Sequence, residues 1–425
     1  MEIETIVSFL TQIIIFFGLY MSIFWILVLI NSRTIIEKKK LKDIVFPKIS
    51  IIVPAYNEED GIEKTIKSLL NLNYPNKVEI IIVNDASTDK TINKINKFSS
   101  KIKIIDKKKN AGKAAAINSG LKIAKGDFIG VVDADSEVSR NSLKNLIQHF
   151  YYEGGENIGA VISRMKPTNE SKNLLERIQL MEYMFVGLIR HLFSSLRVLH
   201  LTPGVLSVYR KDLLIKLGGF DKTNITEDFE VAVRVRKSGY LIKFARDSEV
   251  YTTTPNQFNI FLKQRIRWAR GFIRTHLKHR DIFFKKKYGI FGIYQFPMNI
   301  LSPFIYFLAI FAIVFNMYKM IYEFLFKLLN TPDVINWFTF TTINEIILTY
   351  NPKIGFLIFT SFTLMMLLIY SVFKIYNYNF FSKDTFKKII AFIVYIMFFN
   401  YIYIYVWSVS IFKEMKREKY NWGTK

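Results

Sequence analysis

The chain has 425 residues, 51% of them hydrophobic and 16% aromatic, and its 59 Lys and Arg against 35 Asp and Glu give a formal net charge of +24. A disordered chain would be poor in apolar residues and a disulfide scaffold needs cysteine, of which there is none, so both classes are excluded. A mean hydropathy of +0.19 beside 22% charged residues indicates apolar segments in lipid and a basic globular part outside it.

The first element is an uncharged apolar run over residues 6–30. It is longer than the roughly 20 residues that a helix needs to cross a bilayer, so we predict a transmembrane helix in a domain of residues 1–32. The acids Glu2 and Glu4 precede it and the cations at residues 38–40 follow it. This order argues against a signal peptide and places the carboxyl end of the helix in the cytoplasm.

Residues 33–256 alternate apolar runs of strand length with helical patterns. Strands that are rich in Ile and Val, buried on both faces and joined through helices predict a parallel α/β sheet. The expected fold class is therefore α/β, with a cytoplasmic Rossmann-like domain. The runs are ISIIVPAY, VEIIIVND, IKIID and DFIGVVDAD.

Polar residues follow three of these strands at their carboxyl ends, which is the edge where open α/β sheets bind ligands. An aromatic ring there suits stacking on a base, and a carboxylate suits a base or ribose donor. Two carboxylates on one short turn suit a divalent cation held against a diphosphate. Each of these residues alone is more often a packing or capping residue than a ligand-binding one. Their occurrence in this order on successive strands makes ligand binding the better interpretation. The residues are Pro54, Ala55, Tyr56 and Glu58 after the first strand, Asp85 after the second, and Asp133 and Asp135 after the fourth.

Two further motifs have both a structural and a functional interpretation. Lys113 opens a helix of small residues after Gly112; a helix amino terminus with a lysine suits a phosphate, although small residues also serve close packing. Asp228, in Thr226-Glu227-Asp228, is a candidate general base for a sugar hydroxyl. The same three residues would also serve as an N-cap followed by acids in the first helical turn.

Residues 257–287 combine an amphipathic helix with a basic linker. Apolar residues recur at helical spacing over residues 257–276 beside Arg and Trp, which is typical of a helix at the membrane interface. The helix carries Gln264, Arg267 and Trp268. Arg267 offers donors to a leaving diphosphate and Trp268 offers a platform for a sugar ring. A surface-lying membrane anchor is the structural alternative, and both interpretations can hold together.

Apolar character returns in residues 288–425, which we predict to form a C-terminal channel region of about three spans. The connector 319–353 is balanced in charge, as an external loop is, and the cations between 374 and 388 indicate an internal turn. Three spans then leave the tail outside although its cations favour the cytoplasm, so the side of the tail stays open. The spans are 288–318, 354–372 and 389–412.

In these motifs the chain resembles the processive, membrane-embedded inverting glycosyltransferases of family 2, which include cellulose, chitin, hyaluronan and poly-N-acetylglucosamine synthases. The resemblance extends over residues 48–275 and implies a GT-A fold. Its Gln-x-x-Arg-Trp motif is typical of the polymerising members. The residues that carry it, in family order, are Asp85, Asp133, Asp135, Thr226-Glu227-Asp228, Gln264, Arg267 and Trp268.

On the donor side, the resemblance implies binding of a UDP-sugar with Mg²⁺ or Mn²⁺ as cofactor. Asp133 and Asp135 would handle the donor and its metal, and Asp135 would be the more direct ligand. The residues implied in donor binding are Pro54, Ala55, Tyr56, Glu58, Asp85, Lys113 and Asp133.

On the acceptor side, the resemblance implies that Asp228 activates the acceptor hydroxyl. Attack from the face opposite UDP then inverts an α-linked donor to a β-linked product. Arg267 would stabilise the departing diphosphate, and Trp268 would stack on the acceptor sugar at the mouth of a channel formed by the membrane helices. The other implied residues are Glu227 and Gln264 in the catalytic motifs, and Thr202, Pro203 and Gly204 in a loop that lines the acceptor site.

The expected protein is a multi-pass enzyme of the cell membrane with a cytoplasmic catalytic domain. It would polymerise a UDP-sugar, with UDP-N-acetylglucosamine as first candidate, and pass the growing polysaccharide across the bilayer. The enzymatic alternative is a single-transfer glycosyltransferase with a lipid-linked acceptor, which the Gln-x-x-Arg-Trp motif and the C-terminal spans disfavour. The non-enzymatic alternative is a basic protein that binds a membrane surface or nucleic acid. The sugar, the linkage and the oligomeric state stay open.

The charge surplus has a location in the chain. Residues 33–287 carry 47 Lys and Arg against 27 Asp and Glu, which is +20 of the total of +24. These cations are spread over loops and helices without a recognised nucleic-acid fold, so no nucleic-acid partner is expected. The surplus is better explained by the positive-inside bias and by a domain that handles an anionic nucleotide-sugar beside an anionic membrane face.

Overall fold

The computed structural model describes residues 2–35, 44–152, 155–168, 173–330, 352–376 and 385–418. The strands are β1 (Ile49–Ala55), β2 (Val78–Asn84), β3 (Lys103–Asp106), β4 (Phe128–Val131), β5 (Ser136–Val138), β6 (Ile158–Pro167), β7 (Ser207–Arg210) and β8 (Leu241–Thr252). The α-helices are α1 (Glu2–Ile35), α2 (Ile62–Leu70), α3 (Thr91–Asn96), α4 (Lys113–Ile123), α5 (Ser142–Gln148), α6 (Leu174–Ser195), α7 (Lys211–Lys216), α8 (Glu227–Lys237), α9 (Phe258–Lys278), α10 (Phe296–Asn330), α11 (Pro352–Tyr376) and α12 (Thr385–Met415).

One sheet joins these strands in the order β3-β2-β1-β4-β7-β6-β8-β5. β1 pairs parallel with β2 and β4, and β2 pairs parallel with β3, so the predicted parallel α/β arrangement is confirmed for this half. In the other half β7 runs antiparallel to β4 and β6, β5 runs antiparallel to β8, and β6 pairs parallel with β8. The fold is therefore Rossmann-like with a mixed second half, which the parallel prediction did not include.

The sheet is covered on both faces because successive side chains of a strand point to opposite sides. In β1, Ile51 and Val53 lie in one apolar cluster with Ile66 of α2, whereas Ile52 lies in another with Ile117 of α4. An unbroken run of Ile and Val therefore buries both faces. The polar ends of the strands are left at one edge, between the two helical layers.

Helix α4 lies unusually close to β1 at Gly120. A Cβ at this position would be 2.6 Å from Cγ2 of Ile52, so any larger residue would push the helix away from the sheet. The alanines in the first turn of the helix, Ala114 to Ala116, are buried as well. This packing brings Lys113, the first residue of α4, within an ion-pair distance of Asp133 just after β4.

The described elements divide into two compact units. The first contains α1, most of α10 and α11. The second contains the sheet, its covering helices and α12. In residues, the units are Met1–Thr34 with Met298–Asn379, and Ile35–Pro297 with Phe380–Lys425.

Within the second unit, α12 packs across α6 and α9. The rings of Phe185 and Tyr395 are stacked with their centroids 5.5 Å apart, and the rings of Phe272 and Trp407 meet edge to face at 5.4 Å. The predicted domain boundaries place this last helix with the other spans in residues 288–425. These aromatic contacts join α12 to α6 and α9 within the second unit, and the domain boundaries themselves stay a prediction.

Two described helices are long and apolar enough to cross a bilayer, by length and composition: Phe291–Lys319 and Thr385–Met415. They coincide with the spans predicted at 288–318 and 389–412. The other two predicted spans lie on α1 and α11, whose apolar stretches Phe16–Asn31 and Phe359–Lys374 are shorter in the residues searched. The multi-pass topology therefore stays a prediction. The charges at residues 38–40, most of the connector 319–353, the turn around 377–384 and the tail after residue 418 lie outside the described residues.

Candidate active site

The loops after β1 and β2 are tied to each other. Asn57 adopts a positive φ of 53°, a backbone conformation that Asn tolerates better than most residues. Its side-chain oxygen accepts a hydrogen bond from the N–H of Thr88 at 2.8 Å, and its own N–H donates to Oγ of Ser87 at 3.1 Å. The predicted donor residues at this edge are Pro54 and Ala55 at the end of β1, with Tyr56 and Glu58 directly after it.

Asp85 is fully buried just after β2 and holds the loop that begins α4. Its carboxylate accepts hydrogen bonds from the backbone N–H of Ala111 at 3.1 Å and of Gly112 at 2.8 Å, and it forms an ion pair with Lys107. Gly112 has a φ of 90°, which favours glycine. Asp85 thus lies at the predicted edge of the sheet, and its described contacts fix the amino terminus of α4 beside that edge.

Lys113 joins two motifs that are distant in sequence. Its Nζ lies 2.6 Å from Oδ1 of Asp133 and 3.1 Å from Oε1 of Glu227. Burial by itself lowers the pKa of Lys113, but the carboxylates of Asp133, Glu227 and Asp228 outweigh burial and raise it, so the amine is held as a cation. We call Asp133, Asp135, Glu227 and Asp228, which surround this amine, the acidic cluster.

The predicted acceptor loop lies against the acidic cluster. The hydroxyl of Thr202 donates to the backbone oxygen of Asp228 at 2.6 Å, and the carbonyl of Pro203 accepts from Oγ of Ser207 at 2.6 Å. A Cβ at Gly204 would be 2.7 Å from Oδ1 of Asp133. A larger residue at position 204 would therefore displace the ion pair between Asp133 and Lys113.

Asp228, the predicted general base, has a raised pKa. Burial, followed by the negative charge of Glu227, raises the pKa of Asp228 to about 6, while the cation of Lys113 acts in the opposite direction. The N–H of Phe229 donates to Oδ1 of Asp228 at 2.8 Å. A carboxylate whose pKa lies close to neutral is well matched to accept a proton from a sugar hydroxyl.

Helix α9 is held directly against the beginning of α8. Thr226 occupies the N-cap position of α8, as the capping interpretation predicted, but its side chain makes no capping hydrogen bond. A Cβ at Gly271 of α9 would be 2.1 Å from Oγ1 of Thr226, so only glycine permits this approach. The amide of Asn224 adds a hydrogen bond to Oγ1 of Thr275 at 2.9 Å. The acidic motif and the Gln-x-x-Arg-Trp helix are therefore neighbours.

Asp135 lies between Asp133 and the start of α2. Its carboxylate accepts a hydrogen bond from Oγ of Ser136 at 3.3 Å, and a Cβ at Gly61 would be 2.9 Å from its Cα. Burial and the charge of Asp133 raise the pKa of Asp135, which marks a local shortage of positive charge.

Two carboxylates from one turn fit a divalent cation that completes its shell with substrate phosphates. The described residues contain no group of three or more His, Asp or Glu arranged to hold a metal. The chain thus supplies a partial shell at Asp133 and Asp135, and an anionic substrate would supply the remaining oxygen ligands.

The predicted motif of α9 presents one exposed ring and two buried polar groups. Trp268 is 36% exposed, and its indole stacks on the guanidinium of Arg265 at 4.2 Å from the ring centroid. Oε1 of Gln264 and Nε of Arg267 are buried without a hydrogen-bond partner within the described part of the chain. Buried polar groups of this kind are costly unless a ligand satisfies them.

The sequence interpretation missed Glu182 of α6, which pairs with Arg265 of α9 at 2.5 Å. The available signal was a single acid within the apolar stretch Leu180-Met181-Glu182-Tyr183-Met184. A lone charge in such a stretch is rarely buried without a partner. Its partner, however, lies on another helix, and helical periodicity alone does not pair two helices.

Comparison with known proteins agrees with this geometry. Residues 50–218 match the family described as Glycosyl transferase family 2. The chain is 35% identical over 284 residues to the probable glycosyltransferase YdaM of Bacillus subtilis, covering 64% of this chain and 65% of that protein. It is 31% identical over 296 residues to the poly-β-1,6-N-acetyl-D-glucosamine synthase of Staphylococcus aureus, covering 66% of this chain and 69% of that protein.

A solved structure shares the fold. The mannosyltransferase PcManGT of Pyrobaculum calidifontis, determined in complex with GDP-Man and Mn²⁺, superposes with a TM-score of 0.58 and 19% identity over 88% of this chain and 99% of that one. The fold and the family comparisons thus define a glycosyltransferase with a GT-A-like fold. The chain belongs to glycosyltransferase family 2. The predicted family and enzyme class are confirmed, whereas processivity, translocation and the roles of single residues stay predictions.

Proposed function

We propose that this enzyme polymerises a UDP-sugar, with UDP-N-acetylglucosamine as the preferred donor, into a β-linked polysaccharide that crosses the membrane. The contact between Gly271 and Thr226 carries the proposal, because it makes the candidate base and the Gln-x-x-Arg-Trp motif neighbours. The similarity to the staphylococcal poly-N-acetylglucosamine synthase supports the choice of sugar. The chain covers about two thirds of the length of these curated relatives. Its substrate and its product are therefore part of the proposal.

The proposed reaction needs one base and one stabilised leaving group. The carboxylate of Asp228 takes the proton of the acceptor hydroxyl while the hydroxyl oxygen forms a bond to the anomeric carbon. The bond from that carbon to the diphosphate oxygen breaks, and UDP leaves with the electron pair. Attack opposite the leaving group converts an α-linked donor into a β-linked product. Lys113 and Arg267 stabilise the negative charge that develops on the diphosphate.

Asp133 and Asp135 would hold Mg²⁺ or Mn²⁺ in this proposal. The bound cation supplies additional positive charge to the diphosphate. The chain's own contribution is to place two half-buried carboxylates on one turn and to keep Asp133 paired with Lys113 at 2.6 Å. The nucleoside would lie along the loops after β1 and β2, beside Tyr56 and Asp85.

Trp268 would carry the acceptor sugar on its exposed face, and the Thr202–Gly204 loop would line the same site. Gln264 and Arg267 would find in the substrate the partners that their buried atoms lack among the described residues. The apolar helices Phe291–Lys319 and Thr385–Met415 support membrane association. A multi-pass arrangement with a cytoplasmic catalytic domain and an exported chain completes the proposal.

The proposal is tested with the full chain in lipid nanodiscs. Separate reactions contain UDP-N-acetylglucosamine, UDP-glucose or UDP-glucuronate with Mn²⁺, and UDP release is followed together with product mass. We expect release of UDP and a ladder of N-acetylhexosamine polymers with the first donor. A single sugar on a lipid-extractable acceptor would instead assign a single-transfer enzyme, and no turnover with any of the three donors would overturn the proposal.

A further inference from the structure

Glu182 is a buried acid in an otherwise apolar stretch of α6. Its side chain is 12% exposed, and its carboxylate pairs with Arg265 at 2.5 Å. Burial raises the pKa of Glu182, and the positive charges of Arg265 and Arg190 oppose that shift. Neither the acidic cluster nor the Gln-x-x-Arg-Trp motif includes this acid. It nevertheless lies one side chain away from that motif.

Arg265 is placed between two aromatic rings of its own helix. Its guanidinium carbon lies 4.8 Å from the ring centroid of Phe261 and 4.2 Å from that of Trp268. Phe261 is fully buried and touches Phe399 of α12, so this side of the stack is fixed. Trp268 is the outer member of the stack and remains partly exposed. The stack thus runs from a fixed ring, through a cation, to the ring that faces outward.

The Glu182 carboxylate is the hydrogen-bond partner that keeps the guanidinium in this stack. Arg265 is 8% exposed, and its Nε and Nη1 atoms are buried without a partner within the described residues. A buried cation that loses its counter-charge is strongly destabilised, so it moves towards solvent or water enters. Either change loosens the planar cation that now lies beneath Trp268, and the indole gains rotational freedom.

We propose that Glu182 and Arg265 are positioning residues that hold the indole of Trp268 in the orientation that receives the acceptor sugar. The inference rests on the proposed function, in which Trp268 carries that sugar. Glu182 and Arg265 do not touch substrate themselves. They act by fixing the plane of the ring, and so they determine acceptor affinity rather than donor binding.

The kinetic test uses the full chain in nanodiscs, UDP-N-acetylglucosamine as donor and a β-1,6-linked N-acetylglucosamine trisaccharide as acceptor. Glu182→Gln keeps the shape of the side chain, and Arg265→Lys keeps the charge but loses the planar group. We expect each to raise the KM for the trisaccharide about tenfold, as the loss of a buried cation–π contact would, with donor KM unchanged. Lys263→Gln, which removes an exposed cation from the same helix, should change neither value.

A purely structural role would give a different pattern. In that case Glu182→Gln would lower thermal stability and the maximal rate while the KM for the trisaccharide stayed at the wild-type value. That result would overturn the proposal. It would leave the proposed function intact, because the wild type would still elongate the trisaccharide.

A second measurement does not depend on turnover. The chain has five tryptophans, so enzyme labelled with 5-fluorotryptophan should give five fluorine resonances, and Trp268→Phe identifies one of them. We expect Glu182→Gln and Arg265→Lys to shift or broaden the Trp268 resonance alone. Lys263→Gln should leave it unchanged. An unshifted Trp268 resonance in Glu182→Gln would overturn the proposal even if the wild type proved to use another acceptor.

Discussion

At the scale of single side chains, one ammonium balances a group of buried and half-buried carboxylates. Lys113 is paired with Asp133 and Glu227, and the charge of Asp228 depends on the same amine. Because the pKa of Asp228 is raised to about 6, this carboxylate is ionised at neutral pH and still basic enough to accept a proton. The pH dependence of catalysis should therefore report on this residue.

We expect the wild-type value of kcat/KM to fall as the pH drops through about 6, because the protonated form of Asp228 cannot accept the hydroxyl proton. Asp228→Asn should lower turnover at neutral pH at least about a hundredfold while leaving UDP affinity, measured by calorimetry, close to that of the wild type. A rate that is constant from pH 7 to about pH 5, or wild-type turnover in Asp228→Asn, would remove Asp228 as the base.

Lys113→Met keeps the length of the side chain and removes its charge. Because Lys113 lowers the pKa of Asp228, its loss should raise that pKa and move the acid limb of the pH–rate profile to higher pH. Donor affinity should also fall, since the amine faces the proposed diphosphate site. Lys122→Met, an exposed change on the same helix, is the matched control. An unshifted acid limb in Lys113→Met would contradict the coupling between the two groups.

Asp135→Ala removes one of the two carboxylates on the turn after β4. Donor affinity measured with and without Mn²⁺ should lose its metal dependence in this variant, because a single carboxylate remains to hold the cation. Glu137→Ala, which removes a carboxylate from the adjacent strand β5, should retain the metal dependence. UDP affinity that responds to Mn²⁺ equally in both variants would exclude Asp135 as a ligand.

Glu182 illustrates the limit of sequence interpretation at this scale. The shared position of Asp85, Asp133 and Asp135 was predictable because these acids follow apolar strands, and the edge of a parallel sheet collects such ends. Glu182 follows no strand, and its meaning depends on a partner 83 positions away on α9. A helical pattern shows which face is apolar, but it does not show which two helices meet.

At the scale of elements, the strands of one half of the sheet could be predicted from the sequence, whereas those of the other half could not. Strands β1 and β2 are continuous Ile and Val runs buried on both faces, which is the pattern that predicts a parallel strand. Strand β8 (LIKFARDSEVYT) carries charged residues within its length, and β7 has only four residues. Such strands resemble loops in a sequence, and consequently the mixed half was not predicted.

The contact between α8 and α9 depends on a glycine. Gly271→Ala would place a methyl group 2.1 Å from Oγ1 of Thr226, so the helices must separate. Overpacking of this kind costs roughly 1–3 kcal/mol, and turnover should fall because the two motifs move apart. Thermal unfolding and the rate of UDP release measure both effects. The double variant Gly271→Ala/Thr226→Ala should recover part of the stability, and no recovery would contradict the steric explanation.

At the scale of the whole molecule, the last described helix is joined to the catalytic unit. Glu414 near the end of α12 lies 2.5 Å from Nε of Arg270 and 2.7 Å from Nε of Arg274, both on α9. The sequence predicted α12 as one span among three, since its composition resembles that of a membrane helix. The ion pairs that attach it to α9 are encoded by residues 140 and 144 positions apart, and no local pattern reveals them.

Glu414→Gln should destabilise the second unit. Arg270 is 3% exposed, so it would keep a buried positive charge without a counter-ion. The expected loss is roughly 3 kcal/mol, the lower end for breaking a buried pair, and thermal unfolding in detergent would measure it. Glu418→Gln is the matched control, because its half-exposed side chain pairs only with Lys413 among the described residues. Equal melting temperatures for both variants would contradict the joining role of Glu414.

The hydrogen bonds that link Asn57 to Ser87 and Thr88 have a consequence for the thermodynamics of binding. Two loops that are held together by hydrogen bonds from backbone N–H groups to side-chain oxygens have little freedom left to lose when a ligand arrives. When a ligand has to order a mobile loop, the entropy that the loop loses weakens binding. When the loop is already ordered, this entropic cost is small. This edge of the sheet is therefore a preorganised surface. The affinity of a ligand for it depends mainly on the contacts that form, and little on a loss of loop entropy.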